Sequence, residues 1–266
     1  MANWDRLLSR GKVDDRRALG STGKVGGLGI AGIALVVLIN YLNTGTVDVG
    51  SVLNELQTTQ VIQQPIDSTA FEGSDSYEVF VSTVLGSTSE MWSTIFNQTS
   101  HTYTPPNLVL FRGSTQSSCG GALSSFGPHY CTLDQTIYLD ETFFDELQRR
   151  FGAEGDVAQA YVIGHEVGHH IQHELSITNA SSIENELQAD CFAGLWANSI
   201  KDQGVFESGE IQEALDAAAA VGDDHIQKTT TGRVNPESWT HGSSEQRVAA
   251  FNKGYESGTF SSCKSI

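Results

Sequence analysis

The chain has 266 residues, of which 39% are hydrophobic, and it carries 15 Lys and Arg against 32 Asp and Glu, a formal charge of −17. This acidic balance excludes a nucleic-acid-binding protein, because such a protein needs a basic surface to neutralise phosphates. The hydrophobic content supports a folded core and excludes an intrinsically disordered or collagen-like chain.

The charge is distributed unevenly, and an apolar stretch follows the basic end. Residues 1–24 hold six basic and three acidic side chains, and the next basic residue is Arg112. The uncharged residues 25–42 would span about 27 Å as a helix, close to the ~30 Å hydrocarbon core of a bilayer. Because positive charge flanks only their N-terminal side, we predict a cytoplasmic tail over 1–24 and a single transmembrane signal anchor over 25–42.

Two alternatives to a signal anchor are weaker. A cleaved signal peptide would have a shorter lead than 24 residues and would be followed by an A-x-A site, which is missing here. A buried core helix would show an amphipathic period. This stretch has no such period, and it contains four glycines. The remainder of the chain is therefore expected on the outer side of the cell membrane, with the lipid bilayer as a partner of residues 25–42.

Four cysteines agree with an oxidising compartment. Cys119 and Cys131 flank a Gly/Ser-rich segment, and Cys191 and Cys263 remain. Of the three possible connectivities we predict Cys119–Cys131 and Cys191–Cys263. Four reduced, buried thiols are the alternative, and they would fit a cytosolic protein.

The residues after the apolar stretch predict a polar tether over 43–74 and one folded domain over 75–266. Apolar spacing and turn residues predict short strands at two places and helices at six. The strands are expected over 107–112 and 135–140, and the helices over 77–96, 141–151, 156–175, 183–200, 207–221 and 243–255. This pattern predicts an α+β domain that is mostly helical with a small sheet.

The sequence His165-Glu166-Val167-Gly168-His169 is an H-E-x-x-H motif. On a helix, residues four apart share a face, so the two imidazoles can bind one metal ion. Glu166 is rotated about 100° from His165, which places it to hold a water molecule instead of binding the metal. The motif predicts a catalytic Zn²⁺ site with His165 and His169 as ligands and Glu166 as the catalytic base.

A catalytic zinc ion takes a third protein ligand, and nearby residues on the same helix do not supply it. The extended motif would require Gly and His at positions that here hold Gln172 and Leu175. His173 is about 12 Å from His165 along the helix, too far for a shared ion. His170 is on a different face and is expected at the surface or near the metal without binding it.

Acidic residues of the following helix are the remaining candidates. Glu184, Glu186 and Asp190 all lie there, and the last two are four residues apart. We predict Glu186 as the third zinc ligand and Asp190 as the acceptor of a hydrogen bond from a ligand histidine. Two carboxylates on a solvated face are the alternative, but apolar residues surround Asp190, and a buried carboxylate needs a partner.

These residues predict hydrolysis of a peptide bond by a zinc-activated water, with Glu166 accepting and then donating the proton. The reaction also needs a hydrogen-bond donor for the developing oxyanion. His241 is our candidate for this catalytic role, and Arg247 or a tyrosine is an alternative. The segment around His241 is equally consistent with an N-terminal helix cap, with Ser243 or Ser244 as the capping residue.

Several long segments together resemble the bacterial neutral zinc metallopeptidases of the YpfJ-like family. The similar segments are GDVAQAYVIGHEVGHHIQ, ELQADCFAGLWA, DAAAAVGDDHIQK, THGSSEQRVAAFNKGY and CGGALSSFGPHYC. The resemblance implies a membrane-anchored, zincin-like peptidase in which His165, His169 and Glu186 bind zinc and Glu166 is catalytic.

A zinc-dependent peptidase acting on extended peptide or protein segments is therefore the leading hypothesis. The alternative is an envelope binding or assembly protein that keeps zinc without turnover, although a purely structural zinc site would have four protein ligands. A metal carrier ranks last, because the eight histidines are dispersed along the chain.

Overall fold

The structure, a computed structural model, describes residues 1–17, 75–123 and 127–264. Its strands are β1 (Val13–Asp15), β2 (Asn107–Phe111), β3 (Ser114–Ser117), β4 (Gly120–Leu123), β5 (His129–Cys131) and β6 (Thr136–Asp140). Its α-helices are α1 (Ser76–Phe96), α2 (Thr142–Phe151), α3 (Asp156–Glu174), α4 (Ser182–Ile200), α5 (Ile211–Ala220), α6 (Asp223–Thr231) and α7 (Ser244–Ser257). In the described ranges the protein is thus mostly helical with a small sheet, which confirms the predicted α+β class.

The larger sheet is mixed and has the strand order β1-β2-β6-β5. Strands β1, β2 and β6 run parallel, with Leu108 opposite Ile137, and β5 runs antiparallel to β6. All residues of β6 and all but the first of β2 are buried, as their continuous apolar sequences predict. The predicted strands over 107–112 and 135–140 are confirmed, and β3 with β4 forms a separate antiparallel hairpin.

Glycines bring the central helices into backbone contact. A Cβ atom added to Gly168 of α3 would lie 2.9 Å from the Cα of Ala189 on α4. A Cβ added to Gly254 of α7 would lie 1.9 Å from the carbonyl oxygen of Cys191 on α4. Because no larger residue fits at these positions, α3 and α7 pack closely on α4, and side chains of the three helices meet at one site.

The amino-terminal residues pack in the same core as the helices. The side chain of Val13 is buried, and the backbone N–H of Ala2 and the indole N–H of Trp4 donate to Asp156 of α3 at 2.9 and 2.7 Å. The sequence predicted residues 1–24 as a tail separate from the domain. Their described part, Met1–Arg17, is instead built into that domain, because its few apolar residues and its backbone donors find partners there.

Arg17 connects the end of this segment to the rest of the domain. It forms ion pairs with Asp15 at 2.9 Å and with Asp75 and Glu141 at 2.7 Å. Asp75 also caps α1 by accepting from the backbone N–H groups of Tyr77 and Glu78. The guanidinium therefore joins three separate parts of the chain at one buried point.

The predicted transmembrane anchor over 25–42 and the tether over 43–74 lie outside the described residues. Among the helices that are described, none combines the length and the hydrophobicity needed to cross a bilayer.

The sequence did not predict helix α6. No residue of this helix is buried, so it lacks the apolar stripe by which a helix is recognised. Gly232 ends it in a left-handed conformation with φ of 74°. The short strands β1 and β5 were also missed, since each has only three residues.

Both predicted disulfides are confirmed. Cys119–Cys131 closes a loop of twelve residues in sequence and anchors β5, whereas Cys191–Cys263 joins α4 to the C-terminal turn across 72 residues. Both sulfur pairs have the geometry of a formed bond, with Cα–Cα distances of 5.8 and 5.6 Å.

Removing the longer-range disulfide is expected to destabilise the domain more. In the chain-entropy relation, a disulfide across 72 residues stabilises by about 4 kcal/mol and one across twelve by about 3 kcal/mol. Urea unfolding of C191A/C263A and C119A/C131A would measure both losses in the same full-length chain. A larger loss for C119A/C131A would contradict the loop-closure argument.

Candidate metal centre

Three predicted ligands meet where α3 faces α4. The Nε2 atoms of His165 and His169 are 3.1 Å apart, and the carboxylate of Glu186 lies 3.2 Å from the first and 3.5 Å from the second. Zinc bonds of about 2.0–2.1 Å would place the ligands of a tetrahedral ion about 3.3 Å apart. The three donor atoms therefore fit one zinc ion, and they form a His-His-Glu group of the kind that binds metal.

The second ring nitrogen of each histidine is held by a neighbouring side chain. Nδ1 of His165 lies 2.7 Å from the carboxylate of Asp190, and Nδ1 of His169 lies 2.9 Å from the amide oxygen of Gln172. Each Nδ1 atom is thus the natural proton carrier of its ring. This arrangement leaves both Nε2 atoms free to bind a metal ion.

Asp190 is completely buried and accepts hydrogen bonds from three side chains. Tyr161 donates at 2.6 Å, and Arg247 donates from Nε and Nη2 at 2.8 Å each, in addition to His165. Burial alone would raise the pKa of Asp190, but Arg247 and His165 outweigh it and lower that pKa to about 2. The residue predicted to orient a ligand histidine is therefore an ionised carboxylate that accepts four hydrogen bonds.

The charges around the ligand atoms favour a cation. Burial lowers the pKa of the His165 imidazole, but Asp190 and Glu186 outweigh it and raise that pKa to about 10. Burial raises the pKa of Glu186, and hydrogen bonds from His165 and His169 lower it well below its ordinary range. A site that stabilises positive charge on an imidazole this strongly also stabilises a metal ion bound to the same nitrogen.

Glu166 is buried beside the ligands and does not belong to the ligand cluster. Its side chain is 6% exposed, and its Oε2 atom has no hydrogen-bond partner among the described residues. A buried carboxylate oxygen without a partner is costly in a folded protein. Glu166 also lines the cleft described next, so its carboxylate borders the space that a substrate would enter.

A cleft of about 830 Å³ opens over the ligand atoms. One wall is α3, the opposite wall includes β5, and the cleft also reaches α4, α6 and α7. Beside the ionisable residues of the centre, apolar and neutral polar side chains line it, among them Tyr130, Phe143, Ile177, Ile226 and Asn185. Its size and lining suit a segment of extended peptide.

His241 also lines this cleft, as the sequence predicted for a residue approaching the site. Its Nδ1 atom lies 3.2 Å from Asp223 and 2.9 Å from the hydroxyl of Thr240, so Nε2 is the nitrogen left for a ligand. The capping alternative is confirmed as well, because Ser243 and Gln246 form a reciprocal capping box at the start of α7. The two interpretations of this segment are compatible, because His241 faces the cleft whereas Ser243 and Gln246 cap the helix.

Three other residues that the sequence offered as candidates near the metal do not bind it. Glu184 accepts from the backbone N–H of Ala180 at the start of α4 and is not part of the metal cluster. His170 is fully buried instead of exposed, and its Nε2 donates to the carbonyl of Thr104 at 2.7 Å. Arg247 donates from Nε and Nη2 to Asp190 and from Nη1 to the backbone carbonyl of Val221, which holds its guanidinium on the carboxylate that orients His165.

Sequence reasoning missed the partners that hold the ligand histidines. Gln172 was noted only because it broke the extended motif, although residues three apart on a helix are neighbours and an amide can bind a histidine. Tyr161 is likewise one turn before His165 on α3, which is a usable signal. No signal in a single sequence links Arg247 to Asp190, because 57 residues separate them.

Comparison with known proteins agrees with this geometry. A family model described as "Putative neutral zinc metallopeptidase" matches residues 2–266. The chain is 42% identical over 233 residues to "Uncharacterized protein YpfJ" of Escherichia coli K12, which covers 82% of this chain and 81% of the relative. It is 43% identical over 182 residues to "Uncharacterized protein Rv2575" of Mycobacterium tuberculosis H37Rv, which covers 60% of this chain and 62% of the relative. No solved structure matches the chain.

Proposed function

The chain belongs to the neutral zinc metallopeptidase family, and on this basis we propose that it hydrolyses peptide bonds at the centre formed by His165, His169 and Glu186. The observation that carries the proposal is the buried, unpartnered oxygen of Glu166 beside a group of three metal-binding side chains. Three protein ligands leave a fourth position on zinc for water or substrate, which is the arrangement of a catalytic site.

Each residue of the centre has a defined chemical task in this proposal. When bound, zinc supplies a Lewis acid that polarises the scissile carbonyl and lowers the pKa of an attacking water molecule. Glu166 accepts the proton of that water as the oxygen attacks the carbonyl carbon. Glu166 then donates the proton to the leaving amine nitrogen as the C–N bond breaks.

His241 is proposed as the residue that stabilises the oxyanion. It lines the same cleft, and Asp223 holds its Nδ1 side, so that Nε2 can face a substrate. An N–H group at Nε2 would donate a hydrogen bond to the carbonyl oxygen as negative charge develops.

We place this activity on the outer side of the cell membrane, attached through residues 25–42. Support for the compartment comes from the two disulfides, which persist in oxidising surroundings and are rare in the cytosol. Support for attachment comes from the length and hydrophobicity of residues 25–42 in the sequence.

The alternative of a zinc-containing binding or assembly protein without turnover fits the centre less well. A purely structural zinc ion takes four protein ligands, whereas the cluster found among the described residues offers three. The position of Glu166, buried beside the ligands but outside the ligand cluster, also suits a catalytic base better than a structural zinc site.

The test combines metal removal with an unbiased substrate. Full-length protein, purified in mild detergent, is expected to contain one zinc ion per chain and to cleave members of a random peptide library. Chelation should abolish cleavage, and one equivalent of zinc should restore it, because the water needs the metal for activation. Stoichiometric zinc without cleavage of any peptide would favour the assembly protein, and absence of zinc binding would overturn both proposals.

A further inference from the structure

We propose that Gln172 and Gln188 form a buried amide relay that positions the ligand His169 from the backbone of the C-terminal turn. This inference rests on the proposed function, because it concerns the affinity and geometry of the same metal centre. Gln172 is 4% exposed and Gln188 is 1% exposed, so neither amide has water as an alternative partner. Their orientations are therefore set by the groups around them.

The relay begins at the carbonyl of Cys263. This oxygen can only accept a hydrogen bond, and Gln188 donates to it from Nε2 at 2.9 Å. The amide of Gln188 consequently directs its Oε1 atom toward the other side. There the oxygen accepts from Gln172 at 3.2 Å and from Asn179 at 3.1 Å.

The second amide is fixed in the same way. Gln172 donates from Nε2 to the backbone carbonyl of Asn185 at 2.6 Å and to Oε1 of Gln188. Both of these partners are acceptors, so a flipped Gln172 would place three oxygens against one another. Gln172 therefore presents its own Oε1 to Nδ1 of His169 at 2.9 Å.

An oxygen at this position requires a proton on Nδ1 of His169. The imidazole then has its lone pair on Nε2, which is the atom that faces His165 and Glu186. The ionised carboxylate of Asp190 accepts from Nδ1 of the other ligand, His165, and fixes its tautomer in the same way. The centre is thus held on one side by a charged acceptor and on the other by a neutral chain of amides that ends at the disulfide-bonded Cys263.

The proposal is tested by zinc affinity and by the ring protons of the ligands. Full-length apoprotein is titrated with zinc against a competing chelator for the wild type, Q172M and Q188M. Methionine keeps the shape of glutamine and removes both polar atoms. T88V is the matched control, because Thr88 is fully buried and hydrogen-bonded but lies on α1, where its hydroxyl donates to the carbonyl of Leu85. NMR of the zinc-loaded proteins monitors the Nδ1 protons of His165 and His169.

Q172M is expected to raise the zinc dissociation constant about 10- to 100-fold and to remove the protected Nδ1 proton signal of His169. The Nδ1 signal of His165 should persist, because Asp190 is untouched. Q188M, which spares the contact between Gln172 and His169, should weaken zinc binding less, and T88V should leave it unchanged.

Wild-type zinc affinity with an intact His169 signal in Q172M would overturn the relay, and so would an affinity loss in T88V equal to that in Q188M. Failure of the wild type to bind zinc would instead overturn the proposed function.

Discussion

Replacing Glu166 with Gln is expected to lower kcat/KM for peptide hydrolysis by about 10²- to 10⁴-fold while zinc binding is unchanged. Gln has the shape of Glu but cannot accept the proton of the attacking water. Glu166 is not one of the three side chains that meet at the metal position, so zinc should remain bound. Peptide cleavage and metal content, measured on the same preparation of E166Q, would check both parts of the expectation.

E184Q is the matched control for this variant. Glu184 lies on α4 two residues before the ligand Glu186, but its carboxylate accepts from the backbone N–H of Ala180, just before the N-cap residue Ser181, and Gln can accept there as well. E184Q should keep wild-type activity. Full activity of E166Q would exclude Glu166 as the base, and loss of zinc from E166Q would show that Glu166 is a ligand.

The second large effect concerns Asp190, whose replacement by Ala is expected to cost about 3–5 kcal/mol of unfolding free energy. The reason is that Arg247 is 3% exposed and would lose the carboxylate that accepts from its Nε and Nη2. Zinc affinity should also fall about 10- to 100-fold, because His165 loses the acceptor that orients its ring. Urea unfolding of the apoprotein and chelator-competition titration measure these two effects separately.

A double variant separates the effect of the unpaired Arg247 charge from the effect of the lost His165 orientation. D190A/R247L removes both members of the buried pair and should recover most of the unfolding free energy lost in D190A, but not the zinc affinity. D216A, at an exposed position of α5, should change stability by less than about 0.5 kcal/mol. Equal stability of D190A and the wild type would contradict the role assigned to the carboxylate.

Elements with an apolar face or an apolar run could be predicted closely from the sequence. The helix expected over 156–175 is observed as Asp156–Glu174, and the one expected over 183–200 as Ser182–Ile200. Both are buried on nearly all sides over their central turns, and the long run of residues without Pro that this burial requires is visible in the sequence. Helix Asp223–Thr231 has no buried residue, so its sequence shows no apolar pattern from which a helix could be predicted.

The metal ligands could be predicted because their chemistry imposes short spacings on helices. His165 and His169 are one turn apart, and Glu186 with Asp190 repeats that interval on the next helix. The groups that hold them come together only through folding. Arg247 and the carbonyl of Cys263 reach the site from the last part of the chain, by packing of α7 and the C-terminal turn on α4, which no local pattern records.

The ion pair between Arg17 and Asp75 has a consequence for membrane sidedness. Residues 18–74, including the apolar 25–42, lie between these two residues, whose charged groups are 2.7 Å apart. A chain that crossed a bilayer only once in this interval would leave them separated by a hydrocarbon layer of about 30 Å. This ion pair and the single crossing predicted for residues 25–42 therefore exclude each other within one molecule. Arg16 and Arg17, two of the positive charges on which the predicted cytoplasmic tail rests, form ion pairs with the carboxylates of Asp14 and Asp15.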